Sequence, residues 1–159
     1  MSAVAWIALG SNLGERKANL DGAVDALREL DGVVVEAVSS WHSTEPVGGP
    51  SGQSQFLNGV LRCTTNLAPE SLLGELQQIE VRFGRDRVNG VLNGPRTLDL
   101  DLLLVGELEL DEPDLTLPHP GLEDRAFVLE PLAELDPELR LPRSGQTVRD
   151  RLRALQVNS

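Results

Sequence analysis

The sequence GPRTLDLDLLL, residues 94–104, is typical of a β-strand from Thr97 onward, yet it contains two aspartates. Strands are depleted in Asp because a short polar side chain packs poorly on a pleated, half-buried surface. Asp99 and Asp101 are two positions apart, so both side chains point to the same face of the strand. The leucines that alternate with them point to the opposite face and are predicted to anchor the strand in the core.

Outward from this strand, apolar periodicity and turn residues predict the remaining elements. We predict strands over 3–9, 33–41, 55–65 and 97–105, and helices over 15–30 and 68–83. The order β-α-β-β-α-β is that of an α+β, ferredoxin-like sandwich, in which an antiparallel sheet carries both helices on one face. Two extra C-terminal helices, over 123–135 and 147–155, are predicted after an irregular acidic stretch. No repeat or linker is seen, so residues 1–159 are expected to form a single domain.

Composition limits the functional classes. The net charge of -11 and pI of about 4.5 oppose binding to a phosphate backbone or to an anionic membrane surface. The one cysteine, Cys63, excludes an internal disulfide, and no apolar run reaches transmembrane length. We therefore expect a cytoplasmic protein with small-molecule partners, no nucleic acid and no membrane, and a monomeric state.

The paired aspartates lie next to a cluster of arginines. Arg85 and Arg87 are in a glycine-bounded loop, and Arg96 directly precedes the strand. Guanidinium groups bind phosphate bidentately, and Mg²⁺ binds carboxylates together with substrate phosphates. Two carboxylates on one strand face are consistent with a two-metal phosphoryl-transfer site, although alone they fit a solvated sheet face better. The combination with arginines favours a magnesium–nucleotide site.

A second set of residues is suited to a flat heterocycle. Phe56 and Asn58 share a strand face, and the loop 42–54 with Thr44 and Val47 lies beside them. An amide both donates and accepts hydrogen bonds, and an exposed Phe can stack on a ring, as Phe127 also can. His119, held between two prolines, is either a structural loop residue or a phosphate or ribose contact. The turn-like run GSNLG at 10–14 lacks the lysine of a phosphate-binding loop and is interpreted as a structural turn.

Three sequence blocks resemble 6-hydroxymethyl-7,8-dihydropterin pyrophosphokinase of folate biosynthesis. They are ALGSNLG at 8–14, GPRTLDLDLLL at 94–104 and PHPGLEDRAFVLEPL at 118–132. The resemblance extends from Ala8 to about Arg140. It implies a ferredoxin-like fold and transfer of the diphosphate of ATP to the hydroxymethyl group of a reduced pterin, with AMP as the second product.

The resemblance also implies roles for individual residues. Two Mg²⁺ ions would be held by Asp99 and Asp101, with ATP as the co-substrate. The residues implied to bind ATP are Gln77, Arg85, Arg87, Arg96, Leu102, Thr116, His119 and Arg125, of which Arg85 and Arg96 act in catalysis with the two aspartates. The residues implied to bind the pterin are Thr44, Val47, Phe56, Asn58, Glu80 and Phe127.

This chain departs from the family pattern at several positions. Phe56 replaces a frequent Tyr, Leu92 and Asn93 replace a frequent Arg-Trp pair, and Pro120 replaces a Tyr after the histidine. None of these positions is in the aspartate pair. Two other functions remain open from the residues: a palm-like two-metal nucleotidyl transferase or cyclase, and a non-catalytic ferredoxin-like binding module.

Overall fold

The computed structural model describes residues 2–12, 14–44, 56–84 and 98–157. Within these ranges there are seven strands: β1 (Ala3–Ser11), β2 (Val33–Val38), β3 (His42–Thr44), β4 (Phe56–Thr65), β5 (Asp99–Val105), β6 (Leu110–Glu112) and β7 (Leu115–Leu117). The same ranges contain four helices: α1 (Arg16–Arg28), α2 (Pro69–Arg82), α3 (Ala126–Leu135) and α4 (Val148–Val157).

The main sheet has the strand order β2-β4-β1-β5, and every pairing in it is antiparallel. Counted without the short β3, this is the order of a ferredoxin-like sheet, so the predicted fold class is confirmed. The short strand β3 pairs with β4 beyond the end of β2. The first two helices lie on one face of the sheet, as predicted, where Leu20, Leu27, Leu72 and Leu76 are fully buried.

The two C-terminal helices cover part of the other face. Val128, Leu129 and Leu132 of α3 form a second buried cluster with Trp6 and Val60 of the sheet. The molecule therefore has three layers, with the sheet between two pairs of helices. Both faces of the sheet are apolar where helices pack on them. Polar side chains of a strand are therefore expected at the part of the sheet that no helix covers.

The alternation predicted for β5 is observed in its first half. Leu98, Leu100 and Leu102 are buried in the core below α1 and α2, and the two aspartates face the other way. Farther along, the register between β1 and β5 shifts, and both Leu103 and Leu104 join the cluster below α3 and α4. A β-bulge explains how two successive residues reach the same face.

Several predicted boundaries were wrong. The strand predicted to reach residue 41 ends at Val38, and the loop predicted over 42–54 begins with β3. The acidic stretch predicted to be irregular contains the hairpin of β6 and β7. The helix predicted from residue 123 begins at Ala126. The three-residue strands β3, β6 and β7 are too short to show the periodicity that makes longer elements predictable. The remainder of the two predicted loops, over 45–54 and 85–95, lies outside the described residues.

Candidate active site

One row of cross-strand neighbours runs across the sheet at the uncovered end of the second face. His42 of β3 pairs with Asn58 of β4, Asn58 pairs with Gly10 of β1, and Gly10 pairs with Asp99 of β5. Paired residues in a sheet project to the same face, so the imidazole, the amide and the carboxylate share one surface. In the next row, Asp101 is opposite Ala8.

Gly10 keeps the middle of this row open. A Cβ atom at Gly10 would be 2.9 Å from Oδ1 of Asn58 and 3.7 Å from Cδ1 of Phe56. The amide and the phenyl ring therefore lie over the glycine backbone. The sequence interpretation of residues 10–14 as a turn was wrong for Gly10 and Ser11, which belong to β1. A glycine inside an apolar strand was the available signal, since it often marks a close approach of another group.

The two aspartates offer oxygen ligands on this surface. Both side chains are partly exposed, whereas the leucines between and beside them are buried. Two adjacent carboxylates on one strand face provide the hard oxygen atoms that Mg²⁺ prefers, so the residues present fit this ion. Among the described residues, no cluster of three or more His, Cys, Asp and Glu side chains forms a metal-ligand group.

His119 is fixed beside this carboxylate surface by two hydrogen bonds. Its backbone N–H donates to the carbonyl of Leu103 in β5 at 2.9 Å, and its Nδ1 accepts from the backbone N–H of Gly121 at 3.0 Å. Because Nδ1 is an acceptor, the proton of the neutral ring is on Nε2. Burial lowers the pKa of His119, and Arg125 and Arg143 lower it further, against the opposing effect of Asp99. The ring is therefore neutral at neutral pH and has one N–H to donate.

Arg125 and Phe127 begin α3 next to this histidine. The guanidinium carbon of Arg125 is 5.8 Å from the centroid of the Phe127 ring, within cation–π range. The same guanidinium packs so closely on Gly121 that a Cβ atom there would collide with it. Arg125, Phe127 and His119 thus form one continuous group at the start of α3.

A further pair of residues, not recognised from the sequence, supports the His119 segment. The carboxylate of Glu123 is buried and accepts hydrogen bonds from the backbone N–H groups of Arg143 and Ser144 at 2.7 and 2.9 Å. The side chain of Arg143 in turn donates to the carbonyl of Pro120 at 3.0 Å. No sequence signal could reveal this contact, because it joins segments about 20 residues apart that have no common motif.

Comparison with known proteins identifies the family. Residues 6–137 match the family model of 7,8-dihydro-6-hydroxymethylpterin-pyrophosphokinase (HPPK). The chain belongs to the HPPK family. Among curated relatives named 2-amino-4-hydroxy-6-hydroxymethyldihydropteridine pyrophosphokinase, the Pseudomonas aeruginosa protein is 50% identical over 137 residues, which are 86% of this chain and 83% of the relative. The Bacillus subtilis protein is 46% identical over 135 residues, covering 85% and 79%.

Solved structures agree at the level of the fold. The wild-type Plasmodium falciparum HPPK-DHPS with pteroate superposes with a TM-score of 0.73 at 14% identity. The match covers 97% of this chain but 42% of the solved chain, so the present chain spans less than half of that larger protein. The similarity supports the ferredoxin-like architecture described above.

As an HPPK, the protein is an ATP-dependent diphosphotransferase of folate biosynthesis that acts on a reduced pterin. The enzyme function predicted from the sequence is confirmed, and the non-catalytic binding module and the nucleotidyl transferase are set aside. Within the described ranges, no helix combines the length and apolarity needed to cross a membrane.

The structure brings some of the predicted HPPK site residues together. Asp99, Asp101, Asn58 and Phe56 share one sheet face, and His119 is close enough to Asp99 for the carboxylate to influence its pKa. Thr44 is paired with Phe56 through the backbone of β3. The predicted residues Val47, Arg85, Arg87 and Arg96, and the departures Leu92 and Asn93, lie outside the described residues.

The remaining predicted residues lie elsewhere in the structure. Glu80 was assigned to the pterin, but its fully buried carboxylate accepts the backbone N–H of Leu100 at 2.8 Å. It therefore lies at β5, two strands away from Asn58, and the structure does not bring it together with the pterin residues. Leu102 is buried in the core on the face opposite the aspartates, so a nucleotide there would meet its backbone. Gln77 is exposed on α2, and Thr116 is half-buried in β7.

Proposed function

We propose that ATP and the pterin bind side by side along the row from Asp99 to Asn58. The supporting observation is that Gly10 alone separates these two residues on one face of the sheet. Two strand spacings amount to about 10 Å, which is room for a phosphate chain at one end and a heterocycle at the other. On this proposal, Asn58 hydrogen-bonds the edge of the pterin, and Phe56 and Phe127 stack on its faces.

On the nucleotide side, Asp99 and Asp101 would hold two Mg²⁺ ions together with the phosphates of ATP. Bound Mg²⁺ neutralises phosphate charge and draws electron density from the phosphorus that is attacked. Nε2–H of the neutral His119 is available to donate to a phosphate oxygen. We assign Arg85, Arg87, Arg96 and Arg125 to the phosphates.

We assign three residues to the nucleoside part of ATP. These are Gln77, Thr116 and the backbone of Leu102. Thr116 and the neighbouring Leu117 lead directly into the segment that carries His119, so this part of the chain connects the nucleoside side to the phosphate side.

The proposed transfer is a direct in-line displacement. The hydroxymethyl oxygen of the pterin attacks the β-phosphorus of ATP, a new O–P bond forms, and the bond from that phosphorus to the α–β bridging oxygen breaks. AMP leaves with the bridging oxygen, and the proton of the hydroxyl group passes to solvent or to a phosphate oxygen. Positioning and charge stabilisation supply most of the rate in such a reaction, so a strong general base is not required.

We also propose that residues 1–159 act as one domain, as a monomer, in the cytoplasm. The single-domain assignment is supported by the continuous sheet and by the two core clusters that pack on its two faces. Sedimentation of the purified protein would test the monomer.

The test of the site is conversion of ATP and 6-hydroxymethyl-7,8-dihydropterin, with AMP as the measured product. Asp99→Asn and Asp101→Asn should each lower kcat by at least about 100-fold while thermal unfolding stays near wild type. Asp31→Asn, an exposed carboxylate before β2, is the matched control and should keep full activity. A near wild-type rate in either site variant would refute the metal assignment, and release of pyrophosphate instead of AMP would refute the reaction.

A further inference from the structure

We propose that Glu134 of α3 is a positioning residue for the pterin side of the site. This inference rests on the proposed function, because it takes Asn58, Phe56 and Phe127 as the pterin residues. Within the described ranges, the hydrogen bonds of Glu134 go to Ser40 and His42 and not to the residues proposed to bind substrate. It acts through β3, the short strand that pairs with Asn58 and Phe56.

Three hydrogen bonds converge on the carboxylate of Glu134. Oε2 accepts the backbone N–H of Ser40 at 2.8 Å, and Oε1 accepts the Ser40 hydroxyl at 2.7 Å. Oε1 also lies 2.9 Å from Nε2 of His42. Burial alone would raise the pKa of Glu134, but the bonds from Ser40 and His42 outweigh it and lower the pKa below its ordinary value. The carboxylate is therefore charged, and this strengthens each bond.

The segment that Glu134 contacts is also bonded on either side of Ser40. The backbone N–H of Ser39 donates to the carbonyl of Val60 at 2.9 Å, and the indole N–H of Trp41 donates to Asp21 at 3.0 Å. β3 has three residues, and within the described ranges it pairs with β4 alone, so this ladder is too short to be stable in isolation. Its first residue, His42, is the one that pairs with Asn58. The bonds from Glu134 to Ser40 and His42 add to these contacts and hold β3 at the end where it meets the proposed pterin residues.

The same helix carries a proposed pterin residue at its other end. Phe127 and Glu134 are seven residues apart, about two helical turns, and so lie on the same side of α3. The helix packs on β4 and also contacts β3. Glu134 thus links β3 to the helix that carries the Phe127 ring.

The test is a comparison of the KM values for the two substrates. Glu134→Ala should raise the KM for the pterin about tenfold, because bonds to a charged group are lost, and leave the KM for ATP within about twofold. Glu134→Gln keeps an oxygen acceptor for Ser40 and should recover most of the pterin affinity. Glu138→Gln removes a nearby surface carboxylate that pairs with Arg149, away from β3, and is the matched control.

Asn58→Ala distinguishes a failure of the pterin assignment from a failure of the positioning role of Glu134. If it leaves the KM for the pterin unchanged, the pterin assignment itself is wrong. If it raises that KM while Glu134→Ala does not, the positioning role alone is refuted. Equal changes in both KM values for Glu134→Ala, or a lower melting temperature with unchanged kinetics, would also refute it, because they indicate only a structural role.

Discussion

Gly10 lies between the amide of Asn58 and the carboxylate of Asp99, and its lack of a side chain leaves the space between them open. Gly10→Ala should push the Asn58 amide away, because the added Cβ atom would lie 2.9 Å from its Oδ1. We expect the KM for the pterin to rise about tenfold or more, with a smaller change in the KM for ATP. The measurement is steady-state kinetics with each substrate varied in turn.

Gly74→Ala is the control for this prediction. Gly74 lies inside α2, where a Cβ atom would meet nothing within 4 Å. Because glycine is a poor helix former, the substitution should raise the free energy of unfolding by about 0.5–1 kcal/mol and leave kinetics unchanged. Wild-type pterin KM in Gly10→Ala would contradict the assignment of Asn58.

The one cysteine, Cys63, should react very slowly with alkylating reagents in the folded protein. Burial raises the pKa of Cys63 to about 11, and Glu36 adds to the effect. The thiolate is the reactive form, so at pH 8 alkylation should be at least about 100-fold slower than for an ordinary thiol, before the steric effect of burial. Timed iodoacetamide labelling followed by mass spectrometry measures this. Labelling in urea should be fast, and equal rates in the two conditions would contradict the prediction.

Among the secondary-structure elements, α2 supports the strand that carries the aspartates. Glu80 accepts the N–H of Leu100, the residue between Asp99 and Asp101. Glu80→Ala should lower the free energy of unfolding by about 1–3 kcal/mol, because a buried hydrogen bond is lost. It should also lower kcat at a temperature where the variant is fully folded, since both carboxylates depend on the position of this strand.

Urea unfolding and AMP production measure the two effects of Glu80→Ala separately. Glu75→Ala, on the same helix, is the control and should change neither by a comparable amount. Loss of stability with wild-type kcat would show that Glu80 supports the fold without positioning the aspartates.

The long elements were predictable from sequence, and the short ones were not. The alternation of Asp and Leu correctly predicted which side chains of β5 face the core. The helical spacing of apolar residues predicted the ends of α1 and α2 to within two residues. β3 could not be predicted, because three residues carry no periodicity and its anchor, Glu134, is more than 90 residues away. The neighbourhood of Gly10, Asn58 and Asp99 likewise depends on strand register, which is set by tertiary packing.

For the molecule as a whole, His119 should make stability depend on pH below neutrality. Its folded-state pKa lies below the ordinary value of 6.5, chiefly through burial and then through Arg125 and Arg143. The unfolded chain therefore binds a proton more readily than the native one. The resulting stability is fully present above pH 6.5 and is lost as the pH falls from 6.5 through the lowered native pKa.

The 25 acidic residues of the chain could obscure this effect, because protonating carboxylates also reduces repulsion within a molecule of net charge -11. Most carboxylates titrate near pH 4, so the window from pH 7 to pH 5 isolates histidine chemistry. His119→Gln removes the titrating ring, and the difference from wild type cancels any contribution of His42. Urea midpoints at half-unit pH steps should decline more steeply with acid in wild type than in His119→Gln. Parallel pH profiles would mean that His119 has the same proton affinity in the folded and unfolded chains, contrary to its half-buried position near Arg125 and Arg143.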